Sequence, residues 1–101
     1  MTKKFLEKNG KLVSEEDFYN NGIYAGTNYY YLYKGDLYKS YCPTNAFTYS
    51  GEPYTELYLT AAEMEKELCN SEHAYMRHGI FKSTYKDICK AIGIEPQMID
   101  F

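Results

Sequence analysis

The chain has 101 residues, a net charge of −3 and a pI near 5.3, a balance that argues against a protein coating duplex DNA, which presents a basic face. The same charge is too small for a mimic of nucleic acid. Ile, Leu, Val and Phe together number only 19 against 13 tyrosines, so tyrosine rings must supply much of the buried area of a single domain, residues 1–101.

Three cysteines, Cys42, Cys69 and Cys89, are odd in number and widely spaced, which fits reduced thiols and not a disulfide framework. The opening MTKKFLEKNG lacks the apolar segment of a signal peptide, and no run approaches a membrane span. The expectation is a cytoplasmic protein of a bacterial host cell. Ten of the eleven basic residues are Lys, Arg77 being the exception, and the wealth of Asn, Tyr, Ile and Lys suits an AT-rich bacterial or phage genome.

In chain order, Lys3 to Val13 contains Asn9-Gly10 between Phe5-Leu6 and Leu12-Val13, a pattern that predicts a β-hairpin; a short helix ended by Asn9-Gly10 is the rival reading. Ser14 before Glu15, Glu16 and Asp17 predicts a helix start, with Phe18 and Tyr19 facing inward and Asn20-Asn21-Gly22 ending it. Thr27 to Tyr41 then reads as the central hairpin, turning at Gly35-Asp36 with Gly at the positive φ of a type II′ turn. Tyr33 then pairs with Tyr38, Leu32 with Lys39, Tyr31 with Ser40 and Tyr30 with Tyr41. Alternation sorts Tyr29, Tyr31, Tyr33, Tyr38 and Ser40 onto one face. Tyr30, Leu32, Leu37 and Tyr41 go to the other, with Lys34 and Lys39 near the turn. The leucines mark the second face as the core side, which leaves a tyrosine ladder to be covered by another element or by a partner.

Further strands are expected at Ala46 to Tyr49 and at Tyr54 to Leu59, with Leu57 and Leu59 pointing the same way. Thr60-Ala61-Ala62-Glu63 is a capping box opening a helix to about Cys69. Ser83 or Thr84 opens a last helix to Ile92. Its stripe of Tyr85, Ile88, Cys89 and Ile92 has i, i+3, i+4, i+7 spacing, and Gly93-Ile94 closes it as a Schellman motif. The fold class is therefore α+β: a small antiparallel or mixed sheet of four to six strands with two main helices, about 61–69 and 84–92.

Cys89, Gly93 and Ile99 occupy the positions of the small residue, turn glycine and later apolar residue of a helix-turn-helix, which this stretch resembles. The resemblance would imply DNA binding, against which stand the charge and the few basic residues nearby. Gly22-Ile23-Tyr24 and Tyr33-Lys34-Gly35 superficially resemble the paired motif of GIY-YIG nucleases, but the gap is short and Arg77 is the only arginine. Cys69, His73, His78 and Cys89 could be drawn together around zinc, yet no paired short spacing such as C-x-x-C supports it. A nucleophile formed by Cys42 or Cys69 with His73 or His78 has no signature around it. Glu63, Glu65 and Glu67 alternate along a helix and do not converge.

The tyrosines are the positive signal, because a rigid ring with a hydroxyl is a favoured interface anchor. The sequence thus reads as a non-enzymatic module without metal or cofactor that binds another protein, a host protein or complex, through Tyr29, Tyr31, Tyr33, Tyr38, Lys34 and Lys39. Self-association is left open, and no membrane is involved. Size and composition fit a phage or mobile-element accessory protein, for example an inhibitor of a host defence complex of the anti-CRISPR kind. The alternative is a nucleotide or single-stranded nucleic-acid binder that stacks bases on the same tyrosines.

Overall fold

A computed structural model of the chain describes residues 1–44, 52–68 and 79–95. In order these form α1 (Lys3–Asn9), β1 (Lys11–Asn20), β2 (Ile23–Tyr33), β3 (Asp36–Pro43), β4 (Tyr54–Leu59), α2 (Ala61–Glu63, continued by a π-helical turn, Met64–Leu68) and α3 (Lys82–Ile92). The four strands make one antiparallel meander, β1-β2-β3-β4. This is a small α+β fold, as the sequence implies. The strand expected at 46–49 lies outside the described residues.

Two expectations for the N-terminal third are overturned. Lys3–Asn9 is a helix and not a hairpin arm, because its ends are satisfied locally. The Thr2 hydroxyl accepts the Phe5 N–H at 3.1 Å, and the Asn9 side-chain amide donates to the Phe5 carbonyl at 3.0 Å. Lys3 and Glu7 pair one turn apart, and Leu6 is fully buried against the sheet. Ser14 to Tyr19, read as a helix, belongs instead to β1. The hairpin turn falls at the other Asn-Gly pair: Asn21 and Gly22 have φ of 51° and 80°, the two positive values a type I′ turn requires.

The central hairpin forms one residue earlier than expected. Lys34 and Gly35, with φ of 51° and 84°, make the turn. Leu32 therefore faces Leu37, Tyr31 faces Tyr38, Tyr30 faces Lys39 and Tyr29 faces Ser40. Moving the turn by one residue slides the pairing by two, which preserves the side-chain parity of both strands. The two faces are consequently those read from the sequence. Lys34 holds a left-handed conformation that costs a side-chain-bearing residue about 1 kcal/mol or more. Lys34→Gly is expected to raise the urea midpoint by the equivalent of about 0.5–1 kcal/mol, and Lys34→Asn by part of that.

On the core face, Tyr30, Leu37 and Leu59 pack against Met64, Ile80, Tyr85, Ile88 and Cys89, with Leu32 and Ile92 partly buried at the margin. A bulge at Tyr58 places Leu37 opposite Leu59 but Tyr38 opposite Leu57. The leucines thus do not share a face: Leu59 is in the core and Leu57 is 48% exposed. The capping box at Thr60 and Glu63 is formed. The last helix starts at Lys82, earlier than Ser83 or Thr84 would set it, with Phe81 as its N-cap residue. It ends as expected: the Gly93 N–H donates to the Lys90 carbonyl at 3.3 Å and the Ile94 N–H to that of Cys89 at 2.9 Å.

Candidate functional site: the tyrosine face of the sheet

Alternation along β2 and β3 sends Tyr29, Tyr31, Tyr33 and Tyr38 to the face opposite the core. Helix α1 lies on one end of this face. The Phe5 ring meets Tyr33 edge-on at 5.1 Å, and Lys3 Nζ stands 4.4 Å above the Tyr29 ring. Beneath the helix Tyr31 keeps only 4% of its surface, so it supports the face and is closed to a partner. Tyr29, Tyr33 and Tyr38 remain half-buried. Tyr33 and Tyr38 are 6.5 Å apart, and Tyr38 pairs across β3 and β4 with exposed Leu57. Phe5, Tyr33, Tyr38 and Leu57 thereby form a continuous aromatic and apolar strip from α1 to β4.

The two lysines are divided. Lys34 is exposed at the turn with its Nζ 5.5 Å from the Tyr33 ring. Lys39 faces Tyr30 on the core side and lies 5.7 Å over the Tyr58 ring. Of the six residues singled out in the sequence, the structure brings Tyr33 and Tyr38 into ring contact with Lys34 at their margin, and places Tyr29 on the same face beyond buried Tyr31.

Sequence reasoning missed the far end of the same face. Tyr19 (62% exposed) and Tyr24 lie together at the β1–β2 tip, their rings 5.9 Å apart, while exposed Ile23, paired with Asn20, points to the other side. The Tyr24 hydroxyl bonds that of Thr27, which donates to Asp17 Oδ1 at 2.7 Å. The signal for this hairpin was Asn21-Gly22 between pairs of apolar residues.

Beneath the opposite face lies a buried carboxylate. Glu16 is 3% exposed; its Oε1 accepts from the Tyr30 hydroxyl at 2.8 Å and its Oε2 from the Phe81 N–H at 2.7 Å. The carboxylate thus fastens the first turn of α3 to the sheet, at the end where a helix favours negative charge. Nearby, Ser14 Oγ donates to Asp87 Oδ2 at 2.8 Å.

Reactive groups do not converge in the same way. Cys42 lines an open cleft of about 230 Å3 with Lys3, Tyr54 and Thr55, and burial pushes its thiol pKa up, away from a reactive thiolate. Cys89 sits in the core. Cys69, His73 and His78 lie outside the described residues. Among the described residues no three His, Cys, Asp or Glu side chains gather as a metal site. The motif halves Gly22-Ile23-Tyr24 and Tyr33-Lys34-Gly35 fall at opposite ends of β2, and residues 96–101, which a second helix of a helix-turn-helix would need, are not among those described.

Burial is the leading cause of raised pKa values at Tyr30, Tyr31, Tyr54 and Tyr58, all above the ordinary 10.0; at Tyr30 the Glu16 hydrogen bond adds to it. The unfolded chain therefore loses these protons first. Their stabilising contribution is complete below pH 10 and falls as pH rises from there toward the folded-state values. Stability measured by urea titration between pH 8 and 11.5 is expected to be flat and then to drop steeply, with a shallower drop in Tyr30→Phe.

The described residues define a small α+β protein whose four-strand antiparallel sheet carries helices on both faces. No helix among them is long and apolar enough to cross a membrane. Comparison with protein-family models, with curated proteins and with solved structures gave no match.

Proposed function

We propose that the protein is a non-enzymatic protein-binding module that acts through the tyrosine face of its sheet. The observation that carries this reading is the strip Phe5, Tyr33, Tyr38 and Leu57, in which an exposed leucine and partly open rings lie side by side. Rings held by their neighbours lose little entropy on binding and contribute a large apolar area. The small size and composition extend the proposal to an accessory protein of a phage or mobile element that inhibits a host defence complex, as anti-CRISPR proteins do, inside a bacterial cytoplasm. A single-strand binder needs a basic track beside its stacking rings. Here Lys39 lies on the core side and Lys3 is paired with Glu7, which leaves Lys34 beside the Tyr33 ring and Lys4 and Lys8 on the outer side of α1.

The test is affinity capture from bacterial lysate on the wild-type protein, Tyr38→Asp and Leu57→Asp, each first checked for an unchanged far-UV circular dichroism spectrum. A specific host protein should be retained by the wild type. It should bind each variant with roughly 30-fold lower affinity or worse, the equivalent of a hot spot of about 2 kcal/mol. Fluorescence anisotropy with labelled oligonucleotides should show no binding at physiological salt. Tight oligonucleotide binding that collapses with added salt and in Lys34→Ala would replace this reading with the nucleic-acid one.

A further inference from the structure

We infer that the tyrosine face is an isologous interface for a second copy of this chain, in which Lys4 and Lys8 of each copy meet Glu15 and Asp17 of the other. This rests on the reading of the face as a protein contact and names one partner for it. The first observation is shape. The molecule is a slab of 37 × 36 × 16 Å, and α1 stands on only one end of its tyrosine face. The opposite end, with Asp17, Tyr19 and Tyr24, is exposed. A two-fold axis lying in the plane of the interface, between these halves, places each α1 in the other copy's bare half. The face is broad enough for the about 800 Å2 per partner of a stable interface.

The second observation is charge. Leu6 points into the sheet, and Lys4 and Lys8 lie about 200° around the helix from it, so both project away from their own sheet. Lys3 is tied to Glu7, which leaves the outward ridge of α1 positive. The bare half is the reverse: residues 12–33 contain no Lys, Arg or His, Asp17 is exposed there, and Glu15, exposed on the edge strand opposite Tyr29, stands at its margin beside α1. Each half is thus complementary to the half that the two-fold axis brings to it. The tip rings meet the strip around Tyr33 and Tyr38 in the same arrangement. Tyr24 is already held by Thr27 and Asp17, which lowers the entropy lost on association.

Charge exchange tests this directly, because all four charged residues are exposed. Asp17→Lys also removes the Thr27 hydrogen bond, and recovery in the mixture of variants separates that loss from the loss of charge pairing. Sedimentation equilibrium at up to about 100 μM chain should show a dimer that weakens with salt. Lys4→Glu/Lys8→Glu and Glu15→Lys/Asp17→Lys should each lower self-affinity by at least about tenfold. An equimolar mixture of the two should recover a heterodimer, since both contacts are then again of opposite sign. A wild-type monomer over that range, a dimer that both double variants leave intact, or a mixture that stays monomeric each overturns the inference. A monomer whose capture of a host protein still depends on Tyr38 and Leu57 leaves the proposed function standing without it. A dimer restored in the mixture, with no host protein retained, supports the inference and removes the inhibitor reading.

Discussion

Gly26→Ala is expected to lower stability by about 3–5 kcal/mol, summing overpacking and backbone strain. Gly26 has φ of 153°, and a Cβ there would lie 2.5 Å from Phe18 Cζ, 2.6 Å from the Cys42 carbonyl oxygen and 2.7 Å from Pro43 Cα. The open space lets the Phe18 ring cross β2 and stack on Tyr41 at 5.5 Å and 11°; Tyr41 in turn tilts onto Tyr54 at 5.1 Å. One glycine on β2 thus permits an aromatic row across the sheet. Gly22→Ala is the control: φ is 80° with nothing within 4 Å of the added Cβ, so only a conformational cost of about 1 kcal/mol applies. Urea unfolding of both variants measures the difference. Phe18→Leu should not rescue Gly26→Ala, because two of the three close atoms are backbone. Equal losses in the two glycine variants would mean that the close approach contributes nothing.

Glu16→Ala is expected to cost about 3 kcal/mol or more, since it strands the buried Tyr30 hydroxyl and the part-buried Phe81 N–H and removes the acceptor 3.5 Å from Asn28 Nδ2. Tyr30→Phe removes one donor and should cost about 1.5–3 kcal/mol, the range for a hydrogen bond to a charged group. The double variant should lose less than the sum of the two by about 1 kcal/mol, because no tyrosine hydroxyl is then left unpaired. Glu16→Gln, of equal volume and with one acceptor, should fall between the wild type and Glu16→Ala. Hydrogen exchange adds a local readout: in Glu16→Ala the amides of the first turn of α3 should exchange faster than those of β3. A purely additive cycle with unchanged exchange at Phe81 would show that the carboxylate does not fasten the helix.

The strip and the tip hairpin lie at opposite ends of one sheet face, so the inferred dimer, in which the tip of each copy meets the strip of the other, would compete with a host protein for Tyr38 and Leu57. Tyr31 makes the connection between stability and binding. It lies beneath α1, so Tyr31→Ala reports on the helix-to-sheet packing, whereas Tyr38 and Leu57 report on binding.

What the residues determined by themselves is the set of features closed within a few positions. The Thr60–Glu63 capping box, the Tyr85-Ile88-Cys89-Ile92 stripe and the Gly93-Ile94 cap each depend on hydrogen bonds or spacing inside one or two turns, and each appears where the sequence places it. Alternation across Thr27 to Tyr41 fixed which side chains share a face, even with the turn misplaced by one residue. Only the tertiary structure decided between the two Asn-Gly pairs. The dipeptide at 9–10 ends a helix held down by Leu6, and the one at 21–22 turns a hairpin. Nor could the sequence explain Glu15-Glu16-Asp17, which has the look of a solvated helix start. Glu16 is buried because Tyr30 and Phe81, 14 and 65 residues away, supply its hydrogen bonds. The bulge at Tyr58 likewise separates Leu57 from Leu59 through cross-strand pairing that no local pattern records. Which tyrosines are open was decided last, by where α1 comes to rest. Burial depends on what packs above a residue, and the alternation of a strand fixes only the direction in which it points.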